Sequence, residues 1–278
     1  MPEPLAAILS AILRHKRSFG TYPNLLRPTT MNEKVLYRCL FDRRPIWTQL
    51  QDKHTVREYV RARIGDEALP RLYWVTTDPA DIPFNDLPQK FVVKPNHGSG
   101  WVVFVPDKAQ VNRLELVETC RGWLCQNYYY HLHERHYKPI VPCIMVEEWI
   151  DDGTGLPAEQ CRFHVFGGRV EVISVMRRGS PDTRYRRPAD ATGRWVNIRR
   201  SDNGAQALDP PAHIATMINY AEALASGLDY IRVDLYDTPD KAYFGELTPT
   251  PGAGVVPFGS HEIDLCLGKL WPRRETTT

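Results

Sequence analysis

Apolar residues recur along this chain at two spacings, and the switching between them marks out short helices and short strands. Leu5 to Leu13 is nearly all apolar and reads as a helix. Thr30-Met-Asn-Glu33 has capping-box spacing and predicts a helix through Leu40. Between Asp52 and Arg63 a second helix carries Val56, Tyr59, Val60 and Ile64 on one face and ends at Gly65. Leu114–Trp123 and His213–Ala225 share that period, the latter closing at Gly227. Strands are predicted at Leu72–Val75, at Phe91–Lys94 and Trp101–Val105 around a glycine-bearing turn, and at Ile144–Ile150. Arg162–Phe166 and Arg169–Met176 flank Gly167-Gly168, a two-residue hairpin signal. Ile231–Tyr236 and a strand from Phe244 are joined by a turn at Asp237–Asp240. Residues 179–193, polar and rich in Arg and Pro, read as a mobile loop, and 272–278 as a frayed tail. Helices and strands mix without strict alternation, and neighbouring strands look antiparallel. The expected fold class is α+β and layered, against a doubly wound sheet.

Composition narrows the classes. The 278 residues, 42% hydrophobic and 24% charged, are ordinary for a soluble globular protein of one large or two modest domains. A formal charge of +2 gives no reason to expect a nucleic-acid partner. Cys39, Cys120, Cys125, Cys143, Cys161 and Cys266 form no C-x-x-C or zinc-like spacing and read as scattered buried thiols of the cytosol. Arg14-His-Lys-Arg17 follows the apolar run at Leu5–Leu13, the reverse of a secretory signal, and the run is too short to span a bilayer. A helix docked on the body is expected there, with peripheral contact at the inner face of a membrane as the alternative.

Three stretches carry candidate chemistry. In Ile231-Arg-Val-Asp-Leu-Tyr236 and Phe244-Gly-Glu-Leu-Thr248, Asp234 and Glu246 stand among core-like neighbours. A carboxylate there is costly to bury unless paired or holding a cation, and two of them beside Arg232 suit Mg²⁺ on nucleotide phosphates. A hairpin with two solvated acids is the plainer alternative. In Phe91-Val-Val-Lys-Pro-Asn-His-Gly-Ser-Gly100, Lys94 ends an apolar strand just before a turn whose glycines allow close backbone approach. That is either a tight hairpin loop or a phosphate cradle. Val146-Glu-Glu-Trp-Ile150 is a strand end able to present backbone to an adenine edge, or a commonplace acidic strand end.

Together these segments resemble the ATP-grasp superfamily and, more closely, the TupA-like ATP-grasp family of teichuronopeptide and polysaccharide biosynthesis. Asn32-Glu-Lys34, Asp52-Lys53 with Val56-Arg-Glu-Tyr-Val60, Tyr128-Tyr-Tyr130 and Glu134-Arg-His-Tyr-Lys138 add to the likeness, which runs to about Leu270. The resemblance implies two α+β lobes closing antiparallel sheets on ATP. It implies Lys94 at the α/β-phosphates, with Asn96, His97, Gly98, Ser99 and Gly100 folded over the β/γ-phosphates. Glu147, Glu148, Trp149 and Ile150 would form the adenine hinge, and Asp151 or Asp152 would meet the ribose. Asp234 and Glu246 would hold Mg²⁺, and Arg232 would stabilise the transferring phosphoryl group. Two departures stand out: Thr248 replaces the Asn of the wider superfamily, and Arg162 stands where the closer family tends to have Lys.

Other features are read with their alternatives. His131-Leu-His-Glu-Arg-His136 invites a metal reading, but with no Cys and no H-E-x-x-H it is better taken as a polar segment near the lobe junction. Arg177, Arg178, Arg184, Arg186, Arg187 and Arg194 are either a solvated face or a grip on an anionic acceptor. Arg177, Arg184 and Arg186, with Gly252 and Gly254, are the expected substrate contacts. The expected division is an N-terminal helical segment at 1–45, a lobe at 46–148 with Lys94 and the 96–100 loop, and a lobe at 149–278 with the metal acids. The expected function is an ATP- and Mg²⁺-dependent ligase joining a small-molecule amine to a carboxylate on a glycan or its precursor. A sugar kinase and a non-catalytic nucleotide-binding module are the alternatives.

Overall fold

The computed structural model describes residues 4–176, 183–186, 196–197 and 211–271. In chain order these form α1 (Leu5–Phe19), α2 (Met31–Phe41), α3 (Ile46–Gln51), α4 (Val56–Ile64), β1 (Leu72–Thr76), β2 (Phe91–Pro95), β3 (Val103–Val105), α5 (Arg113–Leu124), α6 (Tyr129–Leu132), β4 (Ile144–Glu148), β5 (Gln160–Phe166), β6 (Arg169–Met176), β7 (Thr183–Arg186), β8 (Val196–Asn197), α7 (Ile214–Leu224), β9 (Tyr230–Asp237), β10 (Ala242–Thr248) and α8 (His261–Leu270). Every strand pair is antiparallel. One sheet runs β1-β4-β2-β3 and the other β10-β9-β5-β6-β7-β8. The expected α+β class with antiparallel sheets is what the described residues adopt.

Local chemistry explains most boundaries. Thr30 and Glu33 make both bonds of the capping box, so α2 starts as predicted. The other residues of that segment are clamps. Asn32 donates from its backbone and its side chain to Asp264 Oδ1, both at 3.0 Å. Lys34 Nζ donates to the Gly268 and Trp271 carbonyls at 2.7 and 3.0 Å, closing the C-terminal end of α8. Gly268 is required there, because a Cβ would lie 2.0 Å from the Thr29 carbonyl oxygen. Helix α4 begins later than expected. The Asp52 carboxylate instead accepts from the His54 and Thr55 N–H groups and holds a turn. Gly167 and Gly168, at φ 56° and 83°, make the two-residue turn between β5 and β6.

The core follows the sheets. Val233 and Leu235 of β9, Phe163 and Val165 of β5 and Phe244 and Leu247 of β10 pack with Trp47 and Leu50 of α3, Val60 of α4 and Met217 of α7. The four-stranded sheet packs Phe91, Val93, Ile144 and Val146 against Leu116 and Cys120 of α5. Helices α1 and α2 join Phe166, Val172 and Tyr230 through Ala11, Met31, Val35 and Leu36, so these two helices share their core with the six-stranded sheet. Buried Arg38 of α2 donates to the carbonyls of Tyr230 and Pro249 and to Asp229, between the rings of Trp47 and Trp271. Burial lowers its pKa to about 10.

Several expectations change. Helices α3, α6 and α8 were not foreseen. Residues 183–186, expected within a mobile loop, pair with β6 as strand β7; the rest of 179–193 and the tail 272–278 lie outside the described residues. The histidine run forms the end of a short helix and a following turn. Cys125 and Cys266 are exposed, unlike the other four thiols.

Candidate active site

A one-residue irregularity in β10 assembles the centre of the site. Phe244 pairs with Leu235 and Glu246 with Asp234, so two residues of β10 stand against one of β9. Without this bulge Phe244 and Glu246 would share a face. With it, Phe244 enters the core and Glu246 joins Asp234 on the opposite face. Gly245 permits the bulge, since a Cβ there would lie 2.9 Å from the Asp234 carbonyl oxygen. Thr248 pairs with Arg232, and Arg162 of β5 flanks Asp234 from its other side.

The side chains on this face form one charged array. Arg232 donates to both Asp234 oxygens at 2.7 and 2.6 Å, to Glu246 Oε1 at 2.9 Å and to Thr248 Oγ1 at 3.0 Å. Arg162 Nε lies 3.7 Å from Asp234 Oδ2 and donates to Gln160 at 3.0 Å. Asp234 is 0% exposed. Burial raises its carboxyl to about 6 in spite of Arg232. Burial also works against the charge of Glu246, but attraction to Lys53 and Arg232 wins and brings it down to about 2. Two carboxylates and a hydroxyl are an oxygen donor set of the kind Mg²⁺ takes when phosphate oxygens complete its shell. Arg232 holds both Asp234 oxygens.

A second group of charges sits on the four-stranded sheet. Lys94 Nζ lies 2.5 Å from Glu147 Oε2, while Arg57 of α4 donates to Glu147 Oε1 at 3.0 Å. Glu147 is thus a buried acid fixing a lysine and an arginine. Glu148 points elsewhere and accepts from the Arg71 N–H at 3.0 Å. Trp149 packs edge-on against Phe104, with ring centroids 5.3 Å apart. Ile150 accepts from the Ala158 N–H at 3.0 Å. Asp151 and Asp152 turn carboxylate oxygens onto the N–H groups of Gly153 and Thr154, within their own loop.

The 96–100 turn is more braced than its sequence implied. Asn96 donates to Asp52 and to the Val141 carbonyl, and its Oδ1 accepts from the Cys143 N–H at 2.8 Å. That amide is fully engaged in hydrogen bonds within the fold. The His97 ring reaches Asn96 Oδ1 and the carbonyls of Trp123 and Gln126, and burial lowers its pKa. It anchors the turn to the end of α5. Gly98 lies under Trp101, where a Cβ would come within 2.3 Å of the indole. Only Ser99 and Gly100 are exposed. Gly254 is also structural: a Cβ would lie 2.5 Å from the Asn32 carbonyl oxygen, so its role is close packing on α2. Gly252 is half-buried against Val256.

Sequence reasoning gave no role to the residue that links the two halves. Lys53 Nζ donates to the Gly98 carbonyl at 2.5 Å and lies 3.8 Å from Glu246 Oε2. Burial lowers its pKa, with Glu246 pulling the other way. The signal was a lysine flanked by Asp52 at the mouth of a core-facing helix. Glu134 was also missed as a site residue. It is buried, accepts from Thr250 Oγ1 at 2.6 Å and lies within electrostatic reach of Arg232, Glu246 and Lys53; burial raises it to about 7. Neighbouring His136 is lowered to about 3 by burial. Arg184 and Arg186 pair in register with Ser174 and Val172 on β6; Arg177, Arg178, Arg187 and Arg194 lie outside the described residues.

Comparison with known proteins follows from this geometry. No curated protein matches the chain in sequence. A D-alanine–D-alanine ligase from Bacillus anthracis, solved with ATP, is 18% identical at a TM-score of 0.47, covering 81% of this chain and 63% of its own. The D-alanine–D-alanine ligase of Helicobacter pylori is 14% identical at 0.45, over 80% of this chain and 61% of its own. An L-amino acid ligase from Bacillus licheniformis is 18% identical at 0.42, over 75% and 46%. The TupA-like ATPgrasp family model matches residues 33–271, nearly the whole length. The chain belongs to the TupA-like ATP-grasp family.

Proposed function

We propose that this protein is an ATP-dependent carboxylate–amine ligase. A substrate carboxylate takes the γ-phosphoryl group of ATP, ADP leaves, and an amine displaces phosphate to give an amide. The observation that carries this reading is Lys53, which touches the Gly98 carbonyl on one side and Glu246 on the other and so ties the glycine turn to the two acids. Lys53 and Lys94 would hold ATP phosphates, with the backbone of Gly98, Ser99 and Gly100 covering them. The strand end at Glu147–Ile150 would line the adenine side. Asp234, Glu246 and Thr248 would hold Mg²⁺, which neutralises phosphate charge. Arg232 and Arg162 would meet the transferring phosphoryl group. Positioning and electrostatics supply the catalysis. The lobes would divide near residue 148, with α3 and α4 packed on the later one.

The acceptor would be a uronate-type carboxylate of a cell-surface polysaccharide or its precursor, gripped by Arg184, Arg186 and the arginines near them, including Arg177. The amine would be an amino acid or similar small molecule, and the setting the cytosol beside a membrane. One observation favours a second reading, a kinase acting on a sugar hydroxyl. Glu134 titrates near 7 close to the paired acids and is suited to accepting a proton from a hydroxyl. Supplying ATP, Mg²⁺, amino acids and uronates and weighing the products distinguishes the two. An amide without phosphate supports the ligase; a phosphorylated sugar as the sole product overturns it.

A further inference from the structure

Helix α1 has two unlike faces. Ala7, Ala11 and His15 are buried, and the His15 ring meets the Gly254 carbonyl at 3.0 Å. Arg14 adds a bond to the Leu132 carbonyl at 3.3 Å. On the opposite side of a 3.6-residue helix, Leu5, Leu9 and Leu13 form a stripe and are 71%, 50% and 59% exposed. Lys16 continues that stripe by one turn, and its Nζ lies 4.1 Å from the centroid of the Tyr22 ring, which holds this exposed tyrosine beside the leucines. Leu26, in the segment that follows, is 96% exposed.

Along the sequence of this segment the charge is of one sign. From Pro4 to Thr30 there is no Asp or Glu, whereas Arg14, Lys16, Arg17 and Arg27 are all present. Exposed leucines rimmed by lysine and arginine, with a tyrosine at the margin, are the composition of a helix lying in the interface of a lipid bilayer. The rim selects among partners. A second copy meeting this face would bring one basic segment against another, whereas anionic headgroups attract Lys16 and Arg17. No helix among the described residues is long and apolar enough to cross a membrane, so the contact is peripheral.

We infer that α1 and residues 20–28 dock this protein on an anionic phospholipid surface, with Leu5, Leu9, Leu13 and Leu26 in the acyl boundary and Lys16, Arg17 and Arg27 at the headgroups. This extends the placement beside a membrane proposed above and depends on no step of catalysis. The test is flotation of the full chain with vesicles of phosphatidylcholine alone or mixed with phosphatidylglycerol. The bound fraction is expected to be at least about tenfold larger on the mixed vesicles and to fall as salt is raised. Leu9→Glu with Leu13→Glu should abolish it, and Lys16→Glu with Arg17→Glu should remove the preference for anionic lipid. All four side chains are exposed, and circular dichroism with ADP formation in the absence of vesicles checks that the variants remain folded and active. Equal binding to both vesicle types, or none to either, overturns the proposal. So does a concentration-dependent dimer, seen by sedimentation, that the leucine variants dissolve.

Discussion

At the scale of single residues, the account turns on carboxyl groups in three electrostatic settings. Asp234 is buried against Arg232, Glu246 is held ionised between Arg232 and Lys53, and Glu134 accepts from Thr250 beside His136 within electrostatic reach of both arginine and lysine. Asp234→Asn and Glu246→Gln each remove a charge without changing shape, so each should reduce ADP formation at least about a hundredfold. Near-normal turnover in either variant would take that residue out of the metal set. Glu134 makes a different prediction. Its folded value of about 7 exceeds that of an unfolded glutamate, so the folded state binds the proton more tightly. Its contribution to stability is therefore present at low pH and is lost as pH rises from about 4.5 through 7. Glu134→Gln mimics the protonated form. The melting temperature of the variant should match wild type near pH 5 and exceed it near pH 8, with a gain of up to about 3 kcal/mol. A gain independent of pH would show that the fold leaves the Glu134 pKa at its unfolded value. His136 acts in the opposite direction: lowered to about 3, it loses stability as pH falls below about 6.5, in wild type and variant alike.

At the scale of elements, the bulge at Gly245 decides whether the two acids meet. Period-two reasoning along β10 puts Phe244 and Glu246 on one face, and that face would be the core. The sequence shows both acids and a glycine between Phe244 and Glu246, yet nothing in its spacing says that the glycine shifts the register. Pairing with Asp234 becomes legible only once β9 lies alongside. Gly245→Ala places a methyl group against the Asp234 carbonyl, which cannot move without disturbing the ladder. ADP formation should fall at least about tenfold, with a loss of stability of about 1–3 kcal/mol. Unchanged activity in a folded variant would show that the bulge does not set the site. The capping box before α2 and the Gly-Gly hairpin between β5 and β6 were readable because each is made within a few residues. Helix α8 was not predicted although Ser260 accepts from the Ile263 N–H at its start.

At the scale of the whole molecule, the division between what was readable and what was not follows sequence distance. Lys94, Arg232, Asp234 and Glu246 stood out because charge on an apolar strand has no local explanation. Lys53 and Arg57 did not, because on a helix with one apolar face a cation is ordinarily solvated; only the fold brings them to Glu246 and Glu147. The hydrogen bonds of Asn96 and His97 and the close packing of Gly254 on α2 were likewise not legible, because their partners are distant in sequence. The central claim is that these parts activate a carboxylate with ATP. Hydroxylamine tests it most directly, because it intercepts an acyl phosphate as a stable hydroxamate. With ATP, Mg²⁺ and a series of uronates, the account predicts a hydroxamate with one acid or a narrow group of acids, formed together with ADP and lost in the Asp234→Asn variant. ADP formed in step with a phosphorylated sugar, and no hydroxamate with any acid, would contradict it.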